Sequence, residues 1–163
     1  DDPFARGLGS TSWDAEGVPA RRLEFIADGV LQGFAYDLKT AYRYGKQSTA
    51  SAVRGGYGGA PSIGVHNLIV DGERSDIGDD RAIYVHDVVG AHTANTLSGD
   101  FSVELSNPFW MEGGEYGEPI KKAMLAGNVF EMLSSIGGLG RESRVVGPMI
   151  LPAMRLHKQR IIG

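Results

Sequence analysis

The sequence predicts an α+β fold: a single domain over residues 1–163, rich in antiparallel β-sheet and hairpins, with two short helices. Three observations predict it. Apolar runs are short and often alternate with polar residues, glycine supplies 24 of the 163 residues, and only two segments carry helix-capping signals. Alternation with frequent glycine is typical of short strands joined by tight turns, and a chain of this length can bury a core without disulfides.

The first expected element is a β-hairpin centred on Asp28-Gly29. The flanking runs, residues 22–27 and 30–36, are strand-like. An Asp-Gly pair between two such runs is typical of a two-residue turn, because both turn residues must adopt positive φ. We therefore expect an antiparallel pair of strands here.

A short helix is expected next, over residues 38–44. Asp37 stands where an N-cap would accept hydrogen bonds from the first-turn amides, and Gly45 follows as a stop. A glycine-rich segment, residues 48–61, comes after it. Its glycine spacing fits neither a dinucleotide-binding loop nor a P-loop, which favours a surface loop or one that folds against a partner.

Further strands are expected along the rest of the chain. They cover residues 65–70, 82–89, 101–105, 109–112 and 118–125. A second helix is expected to begin at Asn128, because Glu131 three residues later completes the pattern of a capping box. We expect this helix to include Ile136 and to end at Gly137-Gly138.

Composition and charge exclude several classes of function. A formal net charge of −4 lacks the electrostatic footprint of a nucleic-acid binder, and the apolar runs are far shorter than a membrane span needs. The chain has no cysteine, so disulfides, thiolate metal sites and cysteine nucleophiles are excluded within it. We expect a cytoplasmic protein that binds neither nucleic acid nor membranes.

No catalytic or metal-binding constellation stands out among the polar residues. The four histidines are His66, His86, His92 and His157. None forms a helical pair of ligands, and His86 and Asp87 on one strand would point to opposite faces. The serines lack a Gly-x-Ser-x-Gly elbow. Two acidic pairs are expected to be solvated turn residues: Asp14/Glu16 and Asp79/Asp80.

Eight short segments, in this order, carry a resemblance to a known family. They are residues 13–19 (WDAEGVP), 28–34 (DGVLQGF), 40–41 (TA), 47–50 (QSTA), 98–102 (SGDFS), 119–120 (PI), 126–128 (AGN) and 151–156 (LPAMRL). In order and spacing they resemble the C-terminal domain of the TldD/PmbA family of peptidase-related proteins, once described as modulators of DNA gyrase. The resemblance extends over nearly all of the chain.

The resemblance implies a metallopeptidase family. In its active, TldD-type member, a His-Glu-x-x-x-His motif in an N-terminal part supplies two zinc-binding histidines, the C-terminal domain supplies a cysteine, and the glutamate activates zinc-bound water. That member is understood to cleave unfolded or leader-type peptides, and peptide maturation is the associated process. Its PmbA-type (TldE) partner lacks the motif, and the two form a dimer whose C-terminal domains help to enclose the active chamber.

Two departures from the family pattern favour the PmbA/TldE type, which is non-catalytic. Val146 aligns with the cysteine ligand, and valine cannot donate to zinc. Ala50 replaces the glycine of the family's Ser-Thr-Gly, so we expect that the backbone there need not be glycine-permissive. The chain begins Asp1-Asp2-Pro3 and is expected to be a piece of a longer protein. Zinc is expected only in a full-length active member or a partner, with no cofactor in this chain.

The glycine-rich loop is the best candidate for a segment that lines the chamber or contacts a subunit. The candidate contact residues are Ser48, Thr49, Gly55, Gly56 and Tyr57, and no residue is assigned a catalytic role. Expected partners are a second copy or a TldD-type catalytic subunit, with unfolded or leader peptides as ligands. An interaction module with no peptidase role is the alternative.

Overall fold

A computed structural model describes all 163 residues and confirms the α+β class. Its strands are β1 (Ile26–Ala27), β2 (Val30–Leu31), β3 (Ala52–Val53), β4 (Ser62–Ile63), β5 (Leu68–Ile69), β6 (Arg74–Ser75), β7 (Ala82–Tyr84), β8 (Asp87–Val89), β9 (Asp100–Ser106), β10 (Phe109–Glu112), β11 (Glu115–Pro119), β12 (Met124–Asn128), β13 (Ile136–Val146), β14 (Met149–Leu156) and β15 (Arg160–Ile162). Its helices are α1 (Leu38–Tyr44), α2 (Val129–Ser134) and a 3-10 turn, Ala91–Thr93. None of them combines the length and the apolar composition that a membrane crossing demands.

The chain divides into two compact units. Unit 1 comprises Asp1–Asp71 and Ser143–Pro152, and unit 2 comprises Gly72–Glu142 and Ala153–Gly163. The two long strands β13 and β14 therefore contribute residues to both units.

In unit 1, β1 and β2 form the expected antiparallel hairpin. Ile26 pairs with Leu31 around Asp28, at φ +49, and Gly29, at φ +76. The prediction of an Asp-Gly turn is confirmed, although the paired strands are much shorter than the strand-like runs. The side chains of Ile26, Val30 and Leu31 are more than half exposed, so the hairpin presents an apolar surface.

The first helix has the predicted bounds and the predicted caps. Asp37 Oδ1 accepts hydrogen bonds from Thr40 N at 2.7 Å and from Thr40 Oγ1 at 2.6 Å. Gly45 ends α1 in the left-handed conformation, at φ +63. Local sequence therefore determines both ends of this helix.

Replacing Asp37 with alanine should destabilise the protein by about 1 kcal/mol at neutral pH, because α1 loses its cap. Hydrogen bonds from the hydroxyl and the amide of Thr40 lower the pKa of the Asp37 carboxyl. A lowered folded-state pKa stabilises the fold above the unfolded-state pKa, and this stability is lost as the pH falls through the folded value. The stability difference between wild type and Asp37→Ala should therefore shrink below about pH 4. Urea denaturation across pH measures it, and an unchanged difference in acid would contradict a role for the ionised carboxyl.

The glycine-rich segment forms a second hairpin in unit 1. Strands β3 and β4 pair antiparallel, with Ala52 opposite Ile63. The strand expected over residues 65–70 is reduced to β5, which pairs in parallel with the start of β14, so that Leu68 lies opposite Met149. The partner of β5 thus comes from the far end of the chain.

Unit 1 buries small apolar side chains together with a polar network. The apolar members are Ala41, Ala50 and Ala52, and the polar members are Asp14, Asp37, Ser51, His66 and Asn67. Asn67 is completely buried: its Nδ2 donates to Asp2 O at 2.9 Å and its Oδ1 accepts from Gly9 N at 3.0 Å. No buried side-chain nitrogen or oxygen in the chain lacks a hydrogen-bond partner, as a stable interior requires.

The larger sheet of unit 2 has the strand order β15-β12-β9-β8 and is antiparallel throughout. β9 contains the expected strand 101–105 with one more residue at each end. Val103 and Leu105 are buried and alternate with exposed residues, as a strand with one buried face requires.

A three-stranded antiparallel sheet in unit 2 has the order β11-β10-β7. Gly113 and Gly114, at φ +59 and +80, form the turn between β10 and β11. The strand expected over residues 82–89 is divided, because β7 pairs with β10 here while β8 pairs with β9 in the larger sheet. The strand expected over residues 118–125 is likewise divided between β11 and β12.

The second helix begins where expected but ends early. Asn128 Oδ1 accepts from Phe130 N at 3.0 Å, which is the Asn128 half of the expected capping box. The prediction that the helix includes Ile136 and ends at Gly137-Gly138 is wrong, because these residues lie in β13. A Cβ at position 137 would lie 1.8 Å from Nε2 of His157, so a close tertiary contact accounts for this glycine.

Candidate partner-contact loop and metal-ligand position

Ser48 and Thr49 lie at the base of the glycine-rich loop and are held by the backbone of Tyr36. Thr49 Oγ1 accepts from Tyr36 N at 2.7 Å and donates to Tyr36 O at 3.1 Å. It also lies 2.8 Å from Ser51 Oγ. Ser48 Oγ donates to Tyr36 O at 3.3 Å. Both candidate residues therefore anchor the loop.

Gly55, Gly56 and Tyr57 lie at the exposed tip of the same loop. The tip is closed by a hydrogen bond from Gly59 N to Gly56 O at 3.1 Å, and the Tyr57 side chain is fully exposed. The structure thus separates the five candidate residues into a bonded base and an exposed tip. The contact role of these residues stays a prediction.

Replacing Thr49 with valine should destabilise the protein by about 1–2 kcal/mol, because a side chain of similar shape leaves Tyr36 N without its acceptor. Tyr57→Ala is the matched variant at the tip and should change stability by less than about 0.5 kcal/mol. Urea denaturation of both variants measures the difference. Equal effects would contradict the division of the loop into base and tip.

Ala50 corrects one expectation from the sequence. It has φ +57 and is 2% exposed. The expectation that this backbone need not be glycine-permissive is therefore wrong, because the left-handed region is the one that favours glycine. Alanine occupies it at a cost of roughly 1–2 kcal/mol, which the surrounding buried contacts of unit 1 must offset.

Val146 occupies the position that the resemblance assigns to a zinc-binding cysteine. It ends β13 and its side chain is 54% exposed, with no atom that can bind a metal. No three His, Cys, Asp or Glu side chains of the chain are grouped so that they could hold a metal ion. The resemblance assigns this domain a single ligand of the family's zinc, and valine at that position has no donor atom. The residue present there therefore does not fit the zinc implied for the family.

The histidines do not converge on a common site. His66 is buried, and the other three are exposed. Burial lowers the pKa of His66, so its ring is expected to be neutral at pH 7. Its Nδ1 lies 3.1 Å from Asp1 Oδ2, a contact that we interpret as a hydrogen bond donated by the neutral ring.

Asp14 holds a turn and is not solvated, contrary to expectation. It is 6% exposed, and its carboxylate accepts hydrogen bonds from the backbone N–H groups of Glu16, Val18 and Ala52. Glu16 in turn accepts from Leu38 N at 2.7 Å. The second acidic pair, residues 79–80, is exposed as expected.

Asp100 takes part in local hydrogen bonds. Its carboxylate accepts from Asn128 Nδ2 at 2.9 Å and from Ser98 Oγ at 2.7 Å. These bonds, first that from Asn128, lower the pKa of the Asp100 carboxyl. They support a structural role at the start of β9.

Residues 1–163 match the family described as the PmbA/TldA metallopeptidase C-terminal domain. The chain belongs to this family. It is 33% identical to an uncharacterized protein of Methanocaldococcus jannaschii over 93% of this chain and 37% of that protein. It is 28% identical to the metalloprotease PmbA of Escherichia coli O157:H7, over 94% of this chain and 34% of that protein.

Solved structures of similar proteins have the same fold. TldE from Thermococcus kodakarensis superimposes with a TM-score of 0.90 at 34% identity, over 100% of this chain and 39% of that one. A Thermotoga maritima protein, whose name describes it as a proposed modulator of a DNA gyrase, superimposes with a TM-score of 0.86 at 29% identity, over 99% of this chain and 38% of that one. The PmbA/TldA domain described here thus spans about a third of the length of its curated relatives.

Proposed function

We propose that this PmbA/TldA-family chain is of the non-catalytic, PmbA/TldE type and acts in the cytoplasm. It supplies a dimer surface and part of the wall of a peptide chamber to a zinc peptidase whose metal is held by a TldD-type subunit. Unfolded or leader peptides are the proposed ligands, for proteolysis or peptide maturation. The observation that carries the proposal is the donor set: valine stands at position 146, where the resemblance places the cysteine ligand, and no three metal-binding side chains of the chain are grouped together.

Two further observations support the assignment. The similarity to TldE, at 34% identity over the whole chain, points to the same type of subunit. The β1–β2 hairpin carries three apolar side chains that are more than half exposed, Ile26, Val30 and Leu31. Ile26 and Leu31 are paired across the hairpin and share one face, while Val30 lies on the other. Exposed apolar side chains of this kind suit the core of a subunit interface.

A reconstitution assay tests the proposal. We expect an unstructured leader-type peptide to be hydrolysed when the protein is mixed with a separately purified TldD-type subunit, and not by the protein alone. A Val30→Lys/Leu31→Lys variant should lose this effect if the hairpin is the interface. Leu97→Lys is the matched control, since Leu97 is 93% exposed and lies in unit 2. A catalytic subunit that is equally active without the protein would contradict the proposal.

An interaction module without a peptidase role is the second candidate. It is favoured by the fully exposed Tyr57 ring at the tip of the glycine-rich loop, which could contact any partner. Under this alternative the protein would not co-elute with the TldD-type subunit, and mixing the two would produce no peptidase activity. The complete sequence of the parent protein also discriminates, because a His-Glu-x-x-x-His motif upstream would make the protein itself an enzyme.

A further inference from the structure

The hairpin formed by β10 and β11 has a free edge. β11 pairs with β10 on one side only, and β10 pairs with β7 on its other side. All five residues of β11 are exposed. An edge strand presents unpaired N–H and C=O groups that can form hydrogen bonds with the backbone of another extended chain.

A cleft with excess negative charge lies along this hairpin. Its volume is about 320 Å³. Its charged and aromatic lining residues are Arg81, Trp110, Glu112, Glu115, Tyr116 and Glu118. Three glutamates and one arginine thus line the cleft, and none of the three glutamates is in an ion pair with the chain's basic side chains. The cleft therefore favours a cationic ligand.

The aromatic surface of the cleft is suited to long cationic side chains. Arg81 Cζ lies 4.2 Å from the centroid of the Trp110 ring, so this ring already accepts a guanidinium. Trp110 shares its face of the hairpin with Glu112 and Glu115, whereas Tyr116 lies on the other face with its ring against Tyr84 and Phe109. A lysine or arginine side chain could therefore pack its stem beside Trp110 while its charge meets a carboxylate.

The hairpin is also held in place before any ligand arrives. Gly113 N donates to Asp79 O at 3.1 Å, and Gly114 N donates to Gly78 O at 3.0 Å. The Arg155 guanidinium also holds residues 77–80, donating to Ile77 O at 2.8 Å and to Asp80 O at 3.2 Å. A preorganised edge reduces the entropy cost of binding.

We propose that the edge of β11 binds an extended peptide segment rich in lysine or arginine, by addition of the peptide as a fourth strand to the sheet β11-β10-β7. Backbone hydrogen bonds hold the peptide, and alternate side chains meet the glutamates. The proposal rests on the proposed function, because a peptide-handling role provides the ligand for an open edge. The competing explanation is that Glu115, Glu118 and Pro119 only protect the edge from self-association.

Fluorescence anisotropy with labelled twelve-residue peptides tests the proposal on the protein alone. The probe alternates lysine and threonine, and its matched control alternates glutamate and threonine. We expect binding of the first only, weakened roughly fivefold by Glu115→Gln/Glu118→Gln. Glu131→Gln, an exposed change on α2, should leave the affinity unchanged. N-methylation of alternate peptide nitrogens should weaken binding roughly tenfold or more, since it removes backbone hydrogen bonds and keeps the charge.

Four outcomes would overturn the proposal. They are no binding of the lysine peptide, equal binding of the glutamate peptide, no effect of N-methylation, and displacement of the labelled lysine peptide by spermidine as readily as by the same peptide without label. Hydrogen exchange gives an independent reading, because the outward amides of β11 should become protected when the peptide binds. No catalytic subunit is present in these experiments. Failure here therefore leaves the reconstitution assay unaffected, and failure of reconstitution leaves peptide binding measurable.

Discussion

Replacing Gly9 with alanine is expected to destabilise unit 1 by about 3 kcal/mol. A Cβ at position 9 would lie 1.8 Å from the carbonyl oxygen of His66 and 2.6 Å from its carbonyl carbon. These are backbone atoms, so no side-chain rotation can relieve the contact. The amide of Gly9 also donates to Asn67 Oδ1, and a shift of this segment would disturb that partly buried hydrogen bond.

Thermal denaturation measures the effect of Gly9→Ala. A loss of about 3 kcal/mol corresponds to a fall in Tm of roughly 6–12 °C for a chain of this size. Gly33→Ala is the matched control, because a Cβ at position 33 meets no atom within 4 Å and the residue does not have a positive φ. A Tm for Gly9→Ala as high as that of Gly33→Ala would contradict the close packing of these two segments.

Replacing Asn67 with leucine is expected to cost about 2–4 kcal/mol, although the two side chains are similar in size. The side chain of Asn67 is fully buried and bridges Asp2 O, Ser10 Oγ and Gly9 N. Leucine would leave Gly9 N without its acceptor, while Asp2 O would keep its bond from Ala5 N and Ser10 Oγ its bond to Ala5 O. The penalty for unpaired buried polar groups exceeds the gain from a more apolar side chain.

Asn95→Leu provides the control for this second prediction. Asn95 Oδ1 also accepts two backbone N–H groups, from Leu97 and Ser98, but the residue is exposed. Water can replace those bonds, so the expected cost is below about 1 kcal/mol. Urea denaturation of the two variants gives the comparison. A cost for Asn67→Leu no greater than that for Asn95→Leu would contradict the account of unit 1 as held by a buried polar network.

Elements that depend on a few neighbouring residues were predicted well from the sequence. The Asp28-Gly29 turn and both caps of α1 lie where local signals placed them. The start of α2 at Asn128 follows from the same kind of signal. In each case the turn or cap residue and its hydrogen-bond partner lie close together in sequence, so the cause is visible in a short window.

Elements that depend on distant partners could not be predicted in this way. The parallel pairs of β5 with β14 and of β6 with β13 join segments far apart in the chain. Gly137 lies in β13 against His157. Asn67 bonds to Gly9 and Asp2, which are 58 and 65 positions away in the sequence. No local pattern encodes such contacts.

The candidate site likewise combines features that local sequence predicts and features that depend on distant partners. The glycine content of residues 48–61 indicated the loop, and the structure separates that loop into an anchored base and an exposed tip; the assignment of Val146 to a ligand position rests on the resemblance and stays a prediction. The free edge of β11 was not predicted, because a strand is recognised as an edge only once its sheet order is known. The positive φ of Ala50 was missed because alanine rarely adopts it.

Zinc content, measured together with chelator-sensitive peptide hydrolysis, tests the central claim most directly. The protein would be expressed with added zinc, dialysed, and analysed for metal and for cleavage of an unstructured peptide. Because Val146 offers no donor and no metal-binding group converges elsewhere, we predict zinc far below one ion per chain and no hydrolysis. One tightly held zinc per chain, with hydrolysis that a chelator abolishes, would contradict the account.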